Sequence, residues 1–374
     1  MQKAVRILSL FLFLFSFVVL GKSLFLNFYP DFSQYYFGAK AVNPYLNGVI
    51  YPPLSIVIFS FLNLFSFAMA EKIWTILSMV SLFASVYLIF KIYNRKILST
   101  LGFIVLGLVC FSFPVKFTLG MGQINNLILL LFVVAIYFLQ QKKNFLSAFL
   151  LSLSFAIKLF PAFLLLQFIV MKKWKFLFAF AGFLILLSGI AFVFIGAKTN
   201  LYFYQHFLPT LLTGWKTDYY NQSLTGLVGR SLTQSFFSAA LIDAASIIFI
   251  LASCLVVLKS LQNKALTNMN FGLLITLNLI VNNFSWQHHF VFLIFPFLAT
   301  LFFVQKMKNN LKFLLILFIS YVLVSLNLAN PHTVPILLQS HVFYGAVLLW
   351  ILEAYLIWKD SPRLSLSFPA KARR

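Results

Sequence analysis

Asp31 is the residue of this sequence whose type and position point most directly to chemistry. It is one of only six acidic residues in a chain of 374 that is 62% hydrophobic and 9% charged. It follows the first long apolar segment and lies in a loop with Tyr35, Tyr36 and Tyr51. Because a carboxylate can accept the proton of a hydroxyl group, we interpret Asp31 as a candidate general base. A solvated acid that flanks a helix is the alternative.

Three further polar segments and one lysine supply candidate binding groups. Amides and hydroxyls can hydrogen-bond to sugar hydroxyls, aromatic rings can stack on sugar rings, and cations can stabilise a departing phosphate. Together with the three loop tyrosines, the candidates for substrate binding are Gln123, Asn125, Lys158, Asn221, Gln222, Ser223, Arg230, His288 and His289.

Each of these candidates also has a simpler structural interpretation. Lys158 can extend to the membrane surface or pair with a carbonyl group, and His288 and His289 can be interfacial residues. Tyr35, Tyr36 and Trp286 can belong to the aromatic belt at a membrane surface. The two histidines are too few, and lack nearby carboxylates, for a metal site. We therefore predict no metal and no cofactor.

Composition indicates a polytopic helical membrane protein. Long apolar runs recur along the chain, and about 20 apolar residues suffice for one helical span. The runs do not alternate as the strands of a membrane β-barrel would. The formal net charge of +22 comes from basic residues in short loops between spans and in the tail, which fits the positive-inside rule and attraction to membrane lipids rather than nucleic acid. Cys110 and Cys254 lie in apolar runs and are interpreted as packing residues.

Twelve apolar segments predict an all-α transmembrane bundle of about 11–13 spans. We assign residues 1–358 to one membrane domain and 359–374 to a short basic cytoplasmic tail. The segment 144–171 contains Pro161, which should kink or break a helix, so it is either one long span or a hairpin of two short ones. In the second case one earlier segment must fail to cross. The twelve segments are about 7–26, 52–69, 72–90, 97–117, 124–140, 144–171, 175–196, 236–258, 269–281, 289–305, 311–328 and 341–358.

Lys3 and Arg6 place the N-terminus in the cytoplasm, so the loop with Asp31 faces the other side. The loop 197–235 and the segment 282–289 share that side in the simplest topology. Nucleotide sugars are not made there, whereas a sugar linked to a polyprenyl phosphate can reach the site from the membrane. Its phosphate is a good leaving group, so one base suffices. Direct displacement then implies inversion at the anomeric carbon.

The polar segments form an ordered set of short motifs. The first motifs are Asp31-Phe32-x-x-Tyr35-Tyr36, Tyr45, and Tyr51-Pro52-Pro53-Leu54. Next come Gly122-Gln123-Ile124-Asn125 and Lys158-Leu159-Phe160-Pro161. The last are Asn221-Gln222-Ser223-Leu224 with Arg230, and Ser285-Trp286-x-His288-His289 with Pro296. In this ordered set the chain resembles glycosyltransferase family 87, whose members use polyprenyl-phosphate-mannose and have the GT-C membrane fold.

This resemblance implies that Asp31 is the general base and that transfer needs no metal. It also implies a polyprenyl-phosphate-linked hexose donor, most often mannose, and a glycolipid, glycan or glycoprotein acceptor. The expected location is the inner cell membrane, with the active site on the extracytoplasmic side.

Other functions remain open at this point. A transporter or lipid flippase would need charged or helix-breaking pairs near mid-membrane in two related halves, and Lys158 with Pro161 is one such site. A non-catalytic assembly or export protein would tolerate the loss of Asp31. A glycosidase would use two carboxylates, and Asp31 with Asp218 is the outward pair. A nucleotide-sugar enzyme is disfavoured, since no Asp-x-Asp motif lies on a cytoplasmic segment.

Overall fold

The computed structural model describes residues 2–26, 29–213, 217–283 and 285–361. Helices make up the regular structure of these residues, apart from one isolated antiparallel bridge between Asn221 and Trp286. The α-helices are α1 (Gln2–Gly21), α2 (Pro30–Gly38), α3 (Pro53–Leu62), α4 (Phe67–Ile92), α5 (Thr100–Phe111), α6 (Phe113–Met121), α7 (Asn125–Gln140), α8 (Asn144–Ile157), α9 (Leu164–Val170), α10 (Trp174–Ile195), α11 (Ala197–Tyr202), α12 (Leu208–Thr213), α13 (Leu224–Ser231), α14 (Phe236–Ser260), α15 (Thr267–Val281), α16 (Ile294–Val304), α17 (Leu311–Ser325) and α18 (His341–Asp360).

The helices confirm a multi-pass membrane protein of the all-α class. In the described chain, seven helical segments are long and apolar enough to cross a bilayer. The pair α5 and α6 forms an eighth if its 54° bend is counted within one span. That bend lies at Ser112, just before Pro114 in the first turn of α6, where proline is tolerated. The seven segments are Lys3–Phe25, Phe67–Ile92, Trp174–Ile195, Phe236–Ser260, Lys264–Val281, Gln287–Val304 and Ile336–Asp360.

Each of the twelve predicted apolar segments is helical, but several are too short to count as full spans. The apolar helices α3, α7, α8 and α17 have 10–17 residues. The number of long spans is therefore lower than the expected 11–13. Helix α3 has ten residues and is about 15 Å long, which is about half the thickness of the hydrocarbon core.

The ambiguous segment 144–171 forms two helices rather than one. Helix α8 ends at Ile157, a 3₁₀ turn covers Phe160–Phe163, and α9 returns over Leu164–Val170. This is the second of the two predicted arrangements. The earlier segment that fails to cross is 52–69, because it contains only the short α3.

Burial separates central helices from those at the periphery. The segment Gln287–Val304 is 83% buried over its apolar window and Lys264–Val281 is 72% buried, whereas Trp174–Ile195 and Phe236–Ser260 are each 17% buried. The first pair therefore forms the centre of the bundle, and the second pair presents apolar side chains outward as lipid-facing helices do. Both cysteines are free.

The bundle has two chemically different ends. Helix α7 begins at Asn125 beside Gln123 and Lys158, and it ends at Gln140 beside the lysine turns 141–143 and 171–173. Its 16 residues span about 24 Å. We call these the site end and the lysine end. The segments around Asp31, Phe203 and Trp286 line one cavity at the site end, as expected for loops on one side.

The domain assignment of 1–358 stays a prediction. Of the predicted tail 359–374, Lys359 and Asp360 continue α18, and residues 362–374 lie outside the described residues.

Candidate active site

A cavity of about 470 Å³ at the site end brings together residues from distant parts of the sequence. It is lined by the short loop helix α2, the start of α3, the turn before α7, the turn after α8 and the residues before α16. Six of the predicted site residues line it, namely Asp31, Tyr51, Gln123, Lys158, His288 and His289.

Asp31 is positioned by the first turn of α2. Pro30 starts this helix, and an acidic side chain is favourable at a helix N-terminus. The helix packs directly on Gly122, whose φ is +71° and whose added Cβ would lie 2.6 Å from Cβ of Phe32. Only glycine accommodates both this backbone conformation and this contact. Trp74 Nε1 donates to the Gly122 carbonyl at 2.7 Å, which further fixes the turn that precedes Gln123.

Gln123 connects Asp31 to two buried tyrosines. Its Nε2 donates to Oδ2 of Asp31, while its Oε1 accepts from the Tyr51 hydroxyl at 2.5 Å and from the Tyr35 hydroxyl at 3.1 Å. Burial raises the pKa of both tyrosines, so they remain protonated donors. Two hydroxyl donors at Oε1 determine the amide orientation, and Nε2 must therefore face the carboxylate.

The electrostatics of Asp31 suit a base that acts near neutral pH. Burial raises the pKa of its carboxyl group to about 6, and the hydrogen bond from Gln123 and the charge of Lys158 act against this rise. A general base is most effective when its pKa is close to the working pH. In the described residues, Gln123 is the hydrogen-bond partner of this carboxylate, through Oδ2. Oδ1 is then the oxygen that can take a proton from an acceptor.

Lys158 is a buried basic residue that lines the same cavity. Burial lowers its pKa to about 7, and the charge of Asp31 acts against this shift. It is 8% exposed and follows α8 in an extended conformation, with φ −150° and ψ 121°. Its Nζ donates to Oδ1 of Asn125 at 2.6 Å and lies 3.0 Å from Nε2 of His289. A cation inside a membrane bundle is costly and is retained for a function or a partner.

The residues 285–289, which we call the strap, carry Trp286 and the two histidines into the cavity. Thr118 Oγ1 and Asn125 Nδ2 both donate to the backbone carbonyl of His288, each at 3.0 Å. The backbone N–H of Trp286 donates to Nδ1 of His289 at 3.2 Å. His288 lines the cavity, and its buried Nδ1 has no hydrogen-bond partner in the described part of the chain. This nitrogen is available to a ligand.

Besides Tyr35 and Asn125, which support the site from behind, the structure places five predicted binding residues outside the lining of this cavity. The Tyr36 hydroxyl donates to the Phe65 carbonyl at 2.8 Å, so it faces away from Asp31. The residues around Arg230 form a separate buried network that holds the strap from behind. The five are Tyr36, Asn221, Gln222, Ser223 and Arg230.

Arg230 uses its guanidinium group within the protein. Nη1 donates to the carbonyls of Asp218 at 2.7 Å and Asn221 at 2.6 Å, and Nη2 donates to Oγ of Ser340 at 2.6 Å. Asn221 in turn forms the isolated bridge with Trp286. This geometry gives Arg230 and Asn221 a positioning role toward the strap, and their direct contact with substrate stays a prediction.

Sequence reasoning missed Trp74 and Thr118, which support the site from within apolar helices. Nothing in their local sequence distinguishes them from ordinary span residues, because their partners are the backbone carbonyls of Gly122 and His288. Asn125 and Tyr35 were predicted. They do not line the cavity themselves, but they hydrogen-bond to the lining residues Lys158 and Gln123.

Fold and site together define a class: a multi-pass helical membrane protein in which a half-buried carboxylate and a buried lysine line one cavity. The chain belongs to glycosyltransferase family 87, whose model matches residues 50–282. Gln123 and Lys158 lie inside this match, Asp31 precedes it, and His288 and His289 follow it.

Two relatives are described as polyprenol-phosphate-mannose-dependent alpha-(1-2)-phosphatidylinositol pentamannoside mannosyltransferases. The one from Mycolicibacterium smegmatis is 25% identical over 246 residues, and the one from Mycobacterium tuberculosis is 25% identical over 255 residues. Each match covers 65% of this chain, but only 58% and 56% of the two relatives. The chain therefore matches a little over half of the length of these relatives.

Proposed function

We propose that this chain is a membrane glycosyltransferase that moves a hexose, mannose in the first instance, from a polyprenyl-phosphate donor to a hydroxyl group of a glycolipid, glycan or glycoprotein. The observation that carries the proposal is the placement of Asp31 and Lys158 on the lining of one cavity. Membership of family 87 and the names of the two relatives support a polyprenyl-phosphate-linked sugar as the donor.

In this reaction the acceptor oxygen attacks the anomeric carbon of the donor sugar. A new carbon–oxygen bond forms, and the bond between the anomeric carbon and the phosphate oxygen breaks. The acceptor proton passes to Oδ1 of Asp31, and the electron pair leaves with the polyprenyl phosphate. Lys158 stabilises the charge that develops on this phosphate, and His288 Nδ1 is positioned to hydrogen-bond to it. A single displacement inverts the anomeric centre.

The orientation of the site follows from charge. Lysines concentrate at the lysine end of the bundle, in the turns 141–143 and 171–173, and cytoplasmic loops carry the excess of basic residues. The site end then faces away from the cytoplasm, across the inner membrane of a prokaryotic cell. A donor anchored in the membrane can reach that side without a soluble nucleotide sugar.

The proposal is tested with the full chain purified in detergent. We would incubate it with polyprenyl-phosphate-[14C]mannose and a membrane-lipid extract, with EDTA present, and separate the products. A new labelled product and released polyprenyl phosphate are expected. Donor binding without any labelled product over a range of acceptor extracts would count against transfer and favour a transporter or flippase. Activity that EDTA abolishes and Mg²⁺ restores would contradict the metal-independent mechanism.

The pH dependence of transfer should report the protonation of Asp31. Since the base must be deprotonated, the rate is present above its pKa of about 6 and is lost as the pH falls through that value. The hydrogen bond from Gln123 lowers this pKa, so Gln123→Leu should move the acidic limb to higher pH. A pH–rate profile of kcat/KM for both proteins measures the shift.

Asn126→Leu is the matched control for this experiment. Asn126 is a neighbouring buried amide whose Nδ2 donates to Oγ of Ser78 at 2.9 Å, away from Asp31. Its loss should cost stability without moving the acidic limb. An equal displacement of the limb in both variants would show that the profile does not report the contact between Gln123 and Asp31.

A further inference from the structure

A second cavity, of about 1190 Å³, lies at the lysine end of the bundle. It is separated from the candidate active site by the length of α7, about 24 Å. It lies between the end of α7, the turn before α8, the end of α9 and the starts of α10 and α15. Its lining includes five lysines and no acidic residue: Lys142, Lys172, Lys173, Lys175 and Lys264.

Two of these lysines occupy an unusual backbone conformation. Lys142 has φ 59° and Lys172 has φ 54°, a left-handed conformation that is unfavourable for residues other than glycine. The comparable turn after α4 has Asn94 in this position, with φ 52°, and asparagine tolerates it better. Backbone preference therefore does not account for lysine in these two turns.

Helix termini add to the positive potential. Helices α8, α10 and α15 all begin at this cavity, where Asn144, Trp174 and Thr267 line it. The N-terminus of a helix carries a partial positive charge and unpaired N–H groups that favour anions. Five lysines and three helix N-termini thus face the same space.

Gln167 provides independent evidence for a polar ligand. It lines the cavity and is 1% exposed, yet its Oε1 has no hydrogen-bond partner in the described residues. Its Nε2 contacts only the sulfur of Met171, at 3.8 Å. Buried amides are normally hydrogen-bonded, so this side chain lacks the partner that a ligand headgroup would supply.

The lining also contains apolar and aromatic side chains, some of them exposed at the surface of the bundle. Phe145 is 68% exposed and Trp174 is 54% exposed, while Phe168 and Phe176 form a buried floor with ring centroids 3.8 Å apart. A soluble anion would gain nothing from these rings. A lipid with an anionic headgroup and acyl chains matches both parts of the cavity.

We propose that this cavity is a binding site for one anionic phospholipid of the surrounding leaflet, with its phosphate on the lysine turns. The headgroup contacts Gln167, which can donate to a phosphate oxygen through Nε2 and accept from a headgroup hydroxyl or amine through Oε1. The acyl chains lie against Phe145 and Trp174. This site is independent of the proposed transfer reaction.

Native mass spectrometry of the full chain, with phosphatidylglycerol added in detergent, tests the proposal. In the triple variant Lys172→Gln/Lys173→Gln/Lys264→Gln, the amount of retained lipid should fall at least about tenfold below that of the wild type. The reason is that each lysine near an anionic lipid contributes about fivefold in affinity. The matched control is Lys306→Gln/Lys308→Gln/Lys312→Gln, which removes three lysines outside the lining. It should retain one lipid as the wild type does.

Gln167→Leu keeps the charge and approximate size of the site, so it tests the cavity even if the triple variant folds poorly. Retention should fall severalfold, with unchanged elution on size exclusion. Equal losses in the two triple variants would indicate general attraction to surface lysines and overturn the proposal. Equal retention of phosphatidylcholine would show that headgroup charge is not recognised. Displacement of the bound lipid by inorganic phosphate alone would show that the acyl chains do not contribute to binding. Either result would overturn it as well.

Discussion

Replacing Asp31 by asparagine is expected to lower kcat for mannosyl transfer by about 10²–10⁴-fold, the usual contribution of a general base. Asparagine keeps the size of the side chain and can still accept the hydrogen bond from Gln123 through Oδ1. The fold and donor binding should therefore persist, while the proton of the acceptor hydroxyl has no group to receive it. Single-turnover transfer from polyprenyl-phosphate-[14C]mannose measures the loss directly, because it excludes product release.

Asp218→Asn is the matched control. Oδ1 of Asp218 accepts from the backbone N–H of Tyr220 at 2.7 Å, a bond that an asparagine oxygen can also accept. Asp218 is not part of the cavity lining, so this variant should transfer at a rate within about twofold of the wild type. Full activity of Asp31→Asn, or a loss confined to Asp218→Asn, would remove Asp31 from the role of base.

The cavity is the part of the structure that the sequence predicted best. Asp31, Gln123, Lys158 and the histidine pair come from four separated segments, and all of them line it. The physical reason is cost: charged groups inside an apolar bundle are expensive, so a carboxylate, a lysine and a histidine pair stand out against the surrounding apolar sequence. Because charged residues are rare in this sequence, these candidates could be recognised without knowledge of the fold.

Asn221, Gln222, Ser223 and Arg230 show the limit of this reasoning, because the structure places them outside the cavity lining. They form a polar segment as dense as the others, but their partners are largely backbone carbonyls and each other. A sequence lists donors and acceptors without saying which of them the protein itself will satisfy. A loop that must be held in place and a loop that binds a ligand need the same residue types.

Hydropathy located the apolar segments, and Pro161 indicated a possible break in 144–171, but the sequence could not decide that break or predict the bend within 97–117. The segment 97–117 bends by 54° between α5 and α6, and 144–171 divides at Lys158 into α8 and α9. Both breaks depend on what packs against the freed backbone groups, which is tertiary information. The break at Lys158 also has a consequence for the site, since it places the ammonium group next to Asn125 and His289.

Replacing Lys158 by methionine is expected to lower kcat by about 10²–10³-fold, the loss seen when one group that stabilises developing negative charge is removed. Methionine fills a similar volume and leaves no unpaired buried cation. Because the charge of Lys158 lowers the pKa of Asp31, the acidic limb of the pH–rate profile should also move to higher pH. Both changes are measured in one set of single-turnover profiles recorded on either side of the raised Asp31 pKa of about 6.

Lys198→Met separates these effects from a general loss of positive charge at the same end. Lys198 is exposed on α11 and does not line the cavity, so its variant should keep both kcat and the position of the acidic limb. A structural defect in Lys158→Met would lower the rate at every pH by the same factor. A drop in kcat together with a displaced limb would instead indicate that the ammonium group of Lys158 acts both on the departing phosphate and on the carboxylate of Asp31, and these two residues line one cavity.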